Sequence, residues 1–68
     1  MNEFLKELDK AGIDYDGDLS PVMVYTRTAE QERTAKAIAK EAGLKLSLYM
    51  PGLKSEDKAA EWEVEVAK

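Results

Sequence analysis

The sequence predicts an α+β domain in two layers, helix-strand-helix-strand-strand, with two helices on one face of a three-stranded mixed sheet. Three observations carry this. The stretch from Pro21 to Met50 reads as strand, helix, strand. Gly12 and Gly43 each close a run with helical spacing and are each followed by an apolar residue. Finally, Trp62, Val64 and Val66 alternate with Glu61, Glu63 and Glu65, a strand pattern rich in β-branched residues.

The first helix is expected from Asn2 to Ala11, since Phe4, Leu5, Leu8 and Ala11 recur at spacings of three and four and Asn2 can cap the first turn. Gly12 ends it in a left-handed conformation, and Ile13 packs back on Leu8. The segment Asp14 to Ser20 reads as an acidic turn. Its Asp14, Asp16 and Asp18 match the first three oxygen positions of an EF-hand loop, which raises weak cation binding as a second reading. Against that, Leu19 stands where the loop needs Gly, Tyr25 stands where it needs a bidentate Glu, and a strand follows instead of a helix.

Pro21 suits the first residue of a strand running to Arg27. Val22, Val24 and Thr26 then point inward, and Met23, Tyr25 and Arg27 outward. The second helix opens on Thr28, with Gln31 completing a capping box, and runs to Ala42. Its apolar stripe is Ala35, Ile38, Ala39 and Ala42; Arg33, Lys36 and Lys40 form a solvated basic face that includes a Glu32–Lys36 pair. The next strand, Leu44 to Met50, places Leu44, Leu46, Leu48 and Met50 inward, with Lys45, Ser47 and Tyr49 outward. If it shares a sheet with the preceding strand, the two should be parallel across a right-handed crossover. Pro51-Gly52 suggests a type II turn, after which residues 53–60 read as a loop with room for one helical turn. The last strand is expected over Glu61 to Ala67, antiparallel to its predecessor, with a C-terminal helix as the alternative. The predicted core is Phe4, Leu5, Leu8, Ile13, Val22, Val24, Ile38, Leu44, Leu46, Leu48, Trp62, Val64 and Val66.

With 68 residues there is room for one domain, residues 1–68. Such a chain buries only about 60% of its unfolded surface, so its core is small. There is no Cys to form a disulfide, and without His or Cys a structural zinc site is not expected. Burial on association, with a second copy or another protein, is the remaining supplement. No apolar run approaches the roughly 18 residues of a membrane span, and the charged start does not resemble a signal peptide, so a cytoplasmic protein is expected.

Fourteen acids oppose ten bases, a net charge of −4. The acids concentrate at the two ends of the chain, while the middle carries Arg27, Arg33, Lys36, Lys40, Lys45 and Lys54. This balance disfavours general nucleic-acid binding, whose affinity is dominated by phosphate contacts. Catalysis is not expected: there is no His or Cys to act as base or nucleophile, no phosphate-cradling glycine loop and no metal motif. No cofactor is implied.

The most informative surface is the sheet face left uncovered by helices. Met23, Tyr25, Arg27, Lys45, Tyr49, Glu61, Glu63 and Glu65 should share it, and Met and Tyr amid charge are what binding cores enrich. The first functional reading is therefore a small acidic, non-enzymatic interaction domain of accessory, inhibitor or regulatory type. It would bind another protein through this face or its acidic edge, including imitation of nucleic-acid charge in the manner of small phage-type inhibitors. A second reading is nucleic-acid binding, with Tyr25 and Tyr49 as stacking platforms beside Arg27 and Lys45, although Glu61, Glu63 and Glu65 oppose it. A third is an idealised or designed sequence with no biochemical activity, suggested by the two glycine caps, the capping box and the clean alternation.

Overall fold

A computed structural model describes residues 2–52 and 59–67. The order of elements is α1 (Asn2–Ala11), β1 (Asp14–Asp16), β2 (Met23–Thr26), α2 (Ala29–Glu41), β3 (Leu44–Met50) and β4 (Ala60–Val66). The expected two-layer α+β architecture is present, but the sheet differs in three respects. It has four strands, not three, in the order β1-β2-β4-β3, and every neighbouring pair is antiparallel. The sheet is therefore not mixed. Strands β2 and β3 still run in the same direction, since both are antiparallel to β4, but β4 lies between them. A physical reason is burial: Trp62 and Val64 are the buried side chains of β3 and β4, and a position between β2 and β3 covers them on both sides.

The additional strand is β1, in the segment read as an acidic turn. Its register on β2 is Asp14 to Tyr25, Tyr15 to Val24 and Asp16 to Met23. Asp is depleted in strands, so two Asp in three residues conceal the pattern from sequence. What holds the strand is Tyr15, which packs at the margin of the core and donates its hydroxyl to Asp9 Oδ2 of α1 at 3.0 Å.

Both glycine caps behave as read. Gly12 has φ +71°, with its N–H on the Asp9 carbonyl and the Ile13 N–H on the Leu8 carbonyl, which is the complete Schellman pair. Gly43 has φ +73° and donates to the Lys40 carbonyl. At the start of α2, Thr28 Oγ1 accepts the Gln31 N–H at 3.0 Å. The reciprocal arm of the predicted box is displaced by one residue: Gln31 Oε1 accepts from the Arg27 N–H at 2.7 Å, not from Thr28. Gln31 Nε2 also reaches the Gly12 carbonyl at 3.5 Å, tying the start of α2 to the end of α1.

The core is Phe4 and Leu8 of α1, Ile13, Val24, Ala35 and Ala39 of α2, and Trp62 and Val64 of β4. Leu5, Val22, Ile38, Leu44 and Leu46 pack around it. Two predicted members are not in it: Leu48 is 53% exposed and Val66 72% exposed. They face the helix layer by register, but Leu48 lies on the edge strand β3 and Val66 is the last residue of β4, and the buried residues of α2 are only the small Ala35 and Ala39. Ala42 is likewise exposed, at the end of the stripe predicted for α2. The C-terminal segment is a strand, not a helix. The reading of residues 53–58 as a loop, the type II turn that extends into them and the Asn2 side-chain cap lie outside the described residues.

Candidate functional site

The uncovered sheet face follows from the register. One row across it is Asp14, Tyr25, Glu61 and Met50; the next is Asp16, Met23, Glu63 and Ser47; Lys45 and Glu65 form the last. Met23, Tyr25, Lys45, Glu61, Glu63 and Glu65 are thus brought together as expected. Arg27, one residue beyond β2, holds Nε 3.8 Å from Asp14 Oδ2, and Lys45 Nζ lies 3.6 Å from Glu65 Oε2 across the strands. These pairs are solvent-exposed and contribute little to stability. Their consequence is electrostatic: the two basic groups of the face are engaged, while Asp16, Glu61 and Glu63 have no ion-pair partner among the described residues.

Two members do not play the parts read from the sequence. Met23 is only 7% exposed, set between Asp16 and Glu63, and is part of the folded unit more than a surface anchor. Tyr49 is displaced by a β-bulge: Leu48 pairs with Trp62 and Met50 with Glu61, so Tyr49 is the extra residue on β3. The bulge also turns Met50, predicted inward, onto the open face. Sequence reasoning missed Asp14 and Asp16 as members of the face. Once Tyr15 is recognised as an inward residue, the period of two places both of its neighbours outward.

Tyr25 is the half-buried aromatic at the centre of the first row. Its hydroxyl holds its proton above the ordinary tyrosine value of 10.0, first because of burial and then because of the Asp16 and Glu61 charges. Tyr15 is raised as well, chiefly by its hydrogen bond to Asp9. In both cases the neutral phenol is favoured by folding. Their contribution is therefore complete below pH 10 and is lost as pH rises through the raised folded values, where the native state binds more protons than the unfolded state. Stability should fall with pH in that alkaline window, and the fall should be shallower in Tyr25→Phe, as read by urea melts across it. An equal slope in both proteins would remove Asp16 and Glu61 as the neighbours of this hydroxyl.

The acidic segment does not form the cation loop considered above. Asp14 and Asp16 belong to β1, and Asp16 Oδ1 accepts the Asp18 N–H at 3.2 Å, an internal turn contact. Among the described residues no group of three carboxylates converges on a point that could hold a metal ion. No helix among them is long and apolar enough to cross a membrane. No protein-family model, characterised protein or solved structure gives a significant match to this chain. The site is read from its own chemistry.

Proposed function

We propose that the chain is a non-enzymatic interaction domain that binds a basic surface of another protein through its open sheet face. The observation that carries this is the composition of that face in register: Asp14, Asp16, Glu61, Glu63 and Glu65 around Tyr25, with Arg27 and Lys45 already paired. Carboxylates so placed steer a cationic partner and suppress an anionic one, while Tyr25 offers apolar area with little entropy to lose. The same charges repel a phosphate backbone, which disfavours the stacking-platform alternative.

Panning a displayed peptide and protein library on the folded chain tests the reading. Selected binders are expected to be basic, to lose affinity with added salt, and to lose about 1–3 kcal/mol on Tyr25→Ala. Reversal of Glu61 and Glu63 to Lys should abolish binding while thermal melts stay near those of the parent. Binders indifferent to Tyr25→Ala and to the charge reversal would sink the open face as the site.

A further inference from the structure

The free edge of β3 is a different surface from the open face, and it is built differently. Among the described residues, strand β3 pairs with β4 only and ends the sheet. Which of its backbone groups are free follows from parity. The Ala67 N–H donates to the Gly43 carbonyl, and Gly43 stands opposite Ala67 in the continuation of the β3–β4 register. Hydrogen-bonded pairs in an antiparallel ladder recur every second residue, so Lys45 and Ser47 exchange bonds with β4. The N–H and C=O groups of Leu44, Leu46 and Leu48 then point outward. The β2–β4 ladder has the complementary phase, since the Val64 N–H donates to the Val22 carbonyl. This outward row lies beside three exposed side chains, Leu48 at 53%, Tyr49 at 60% and Met50 at 51%.

We propose that this edge pairs with the same edge of a second copy, antiparallel and centred on Leu46, to form one continuous eight-stranded sheet. In that register Leu46 meets Leu46, Leu44 meets Leu48 and Lys45 meets Ser47. Three pairs exchanging two bonds each give about six new ladder bonds. This register avoids like-charge opposition, because the one ionic residue of the stretch faces a serine; centring on Lys45 would oppose two cations. It also uses the regular part of the strand and stops before the bulge at Tyr49. The opposite edge of the sheet offers no equivalent: β1 has three residues, two of them Asp, so association closes at a dimer. A peptide strand could use the same outward groups, but it would not explain a register that satisfies itself about a two-fold axis. The contact is small, so association is expected in the micromolar to millimolar range.

The test is sedimentation equilibrium of the full chain from micromolar to about 1 mM, combined with amide hydrogen exchange at each concentration. A species of twice the 7.6 kDa chain mass is expected, with the Leu44, Leu46 and Leu48 amides gaining protection as it forms. Ser47→Lys places a cation opposite Lys45 of the second copy, and the dimer should weaken at least tenfold. The same residue faces Glu63 within its own chain, so the monomer should melt no earlier. Ser47→Glu should tighten the dimer. A synthetic chain with N-methyl-Leu46, which lacks only an outward N–H, should remain monomeric. A chain still monomeric at the highest concentration overturns the proposal. So do larger oligomers, a dimer whose protected amides lie elsewhere, or a dimer unmoved by both Ser47 variants.

Discussion

Leu8→Ala is expected to leave most of the chain unfolded at room temperature. Leu8 is fully buried and packs in the cluster that contains Phe4, Ile13, Val24 and the two buried alanines of α2, Ala35 and Ala39. Its backbone carbonyl also accepts the Ile13 N–H, so the residue anchors both the helix and the turn that leaves it. Truncating a buried leucine costs about 2–5 kcal/mol. A domain of this length holds only some 3–10 kcal/mol in total. The buried side chains of α2 are Ala35 and Ala39, which have nothing to extend into the cavity. Leu48→Ala is the matched control, half exposed at the edge of the sheet, and should cost under about 1 kcal/mol. Urea melts of the two variants decide the matter. Equal midpoints would mean that α1 does not dock on the face that carries Val24.

The second large effect is at Trp62, where Trp62→Ala should cost about 3–5 kcal/mol. Three interactions meet on this side chain. It sits between Val24 of β2 and Leu48 of β3 in the central strand, its Nε1–H donates to the buried Thr26 Oγ1 at 2.9 Å, and Lys36 Nζ of α2 lies 4.8 Å from its ring centroid. The hydrogen bond can be isolated. Thr26→Val keeps the shape but strands the indole N–H in the core, at about 1–3 kcal/mol. Adding Trp62→Phe removes that stranded donor, so the double variant should be destabilised by less than the sum of the two single ones. Strict additivity would show that the bond contributes nothing beyond packing.

These two sites illustrate how far the chain could be read without its structure. Leu8 and Trp62 announce themselves through periodicity, one at helical spacing and the other at a spacing of two, and both periods reflect local backbone geometry. The helix ends were legible for the same reason, since only glycine accepts positive φ at no cost, and φ is a property of one residue. The inward and outward sides of β2 and β4 were also legible, because alternation binds every residue of a strand to its neighbours.

The bulge was not legible. Nothing in Leu48-Tyr49-Met50 distinguishes it from a regular continuation, and its effect, which turns Met50 outward, depends on the partner strand. Met23 was misjudged in a related way: its face is the one expected, but its burial depends on β1, which adds Asp16 beside it.

The sequence by itself determined the two helices, their glycine ends, the alternation of β2 and β4 and the placement of Tyr25 with Glu61, Glu63 and Glu65 on one sheet face. All of these are set by local dihedral preference and period. Only the tertiary structure decided that β4 lies between β2 and β3, that Asp14–Asp16 is a strand, that Leu48 and Val66 lie outside the core and that β3 is left with a free edge. Strand neighbours are chosen by which side chains most need covering, a competition among distant segments for one small core, and no local pattern records its result.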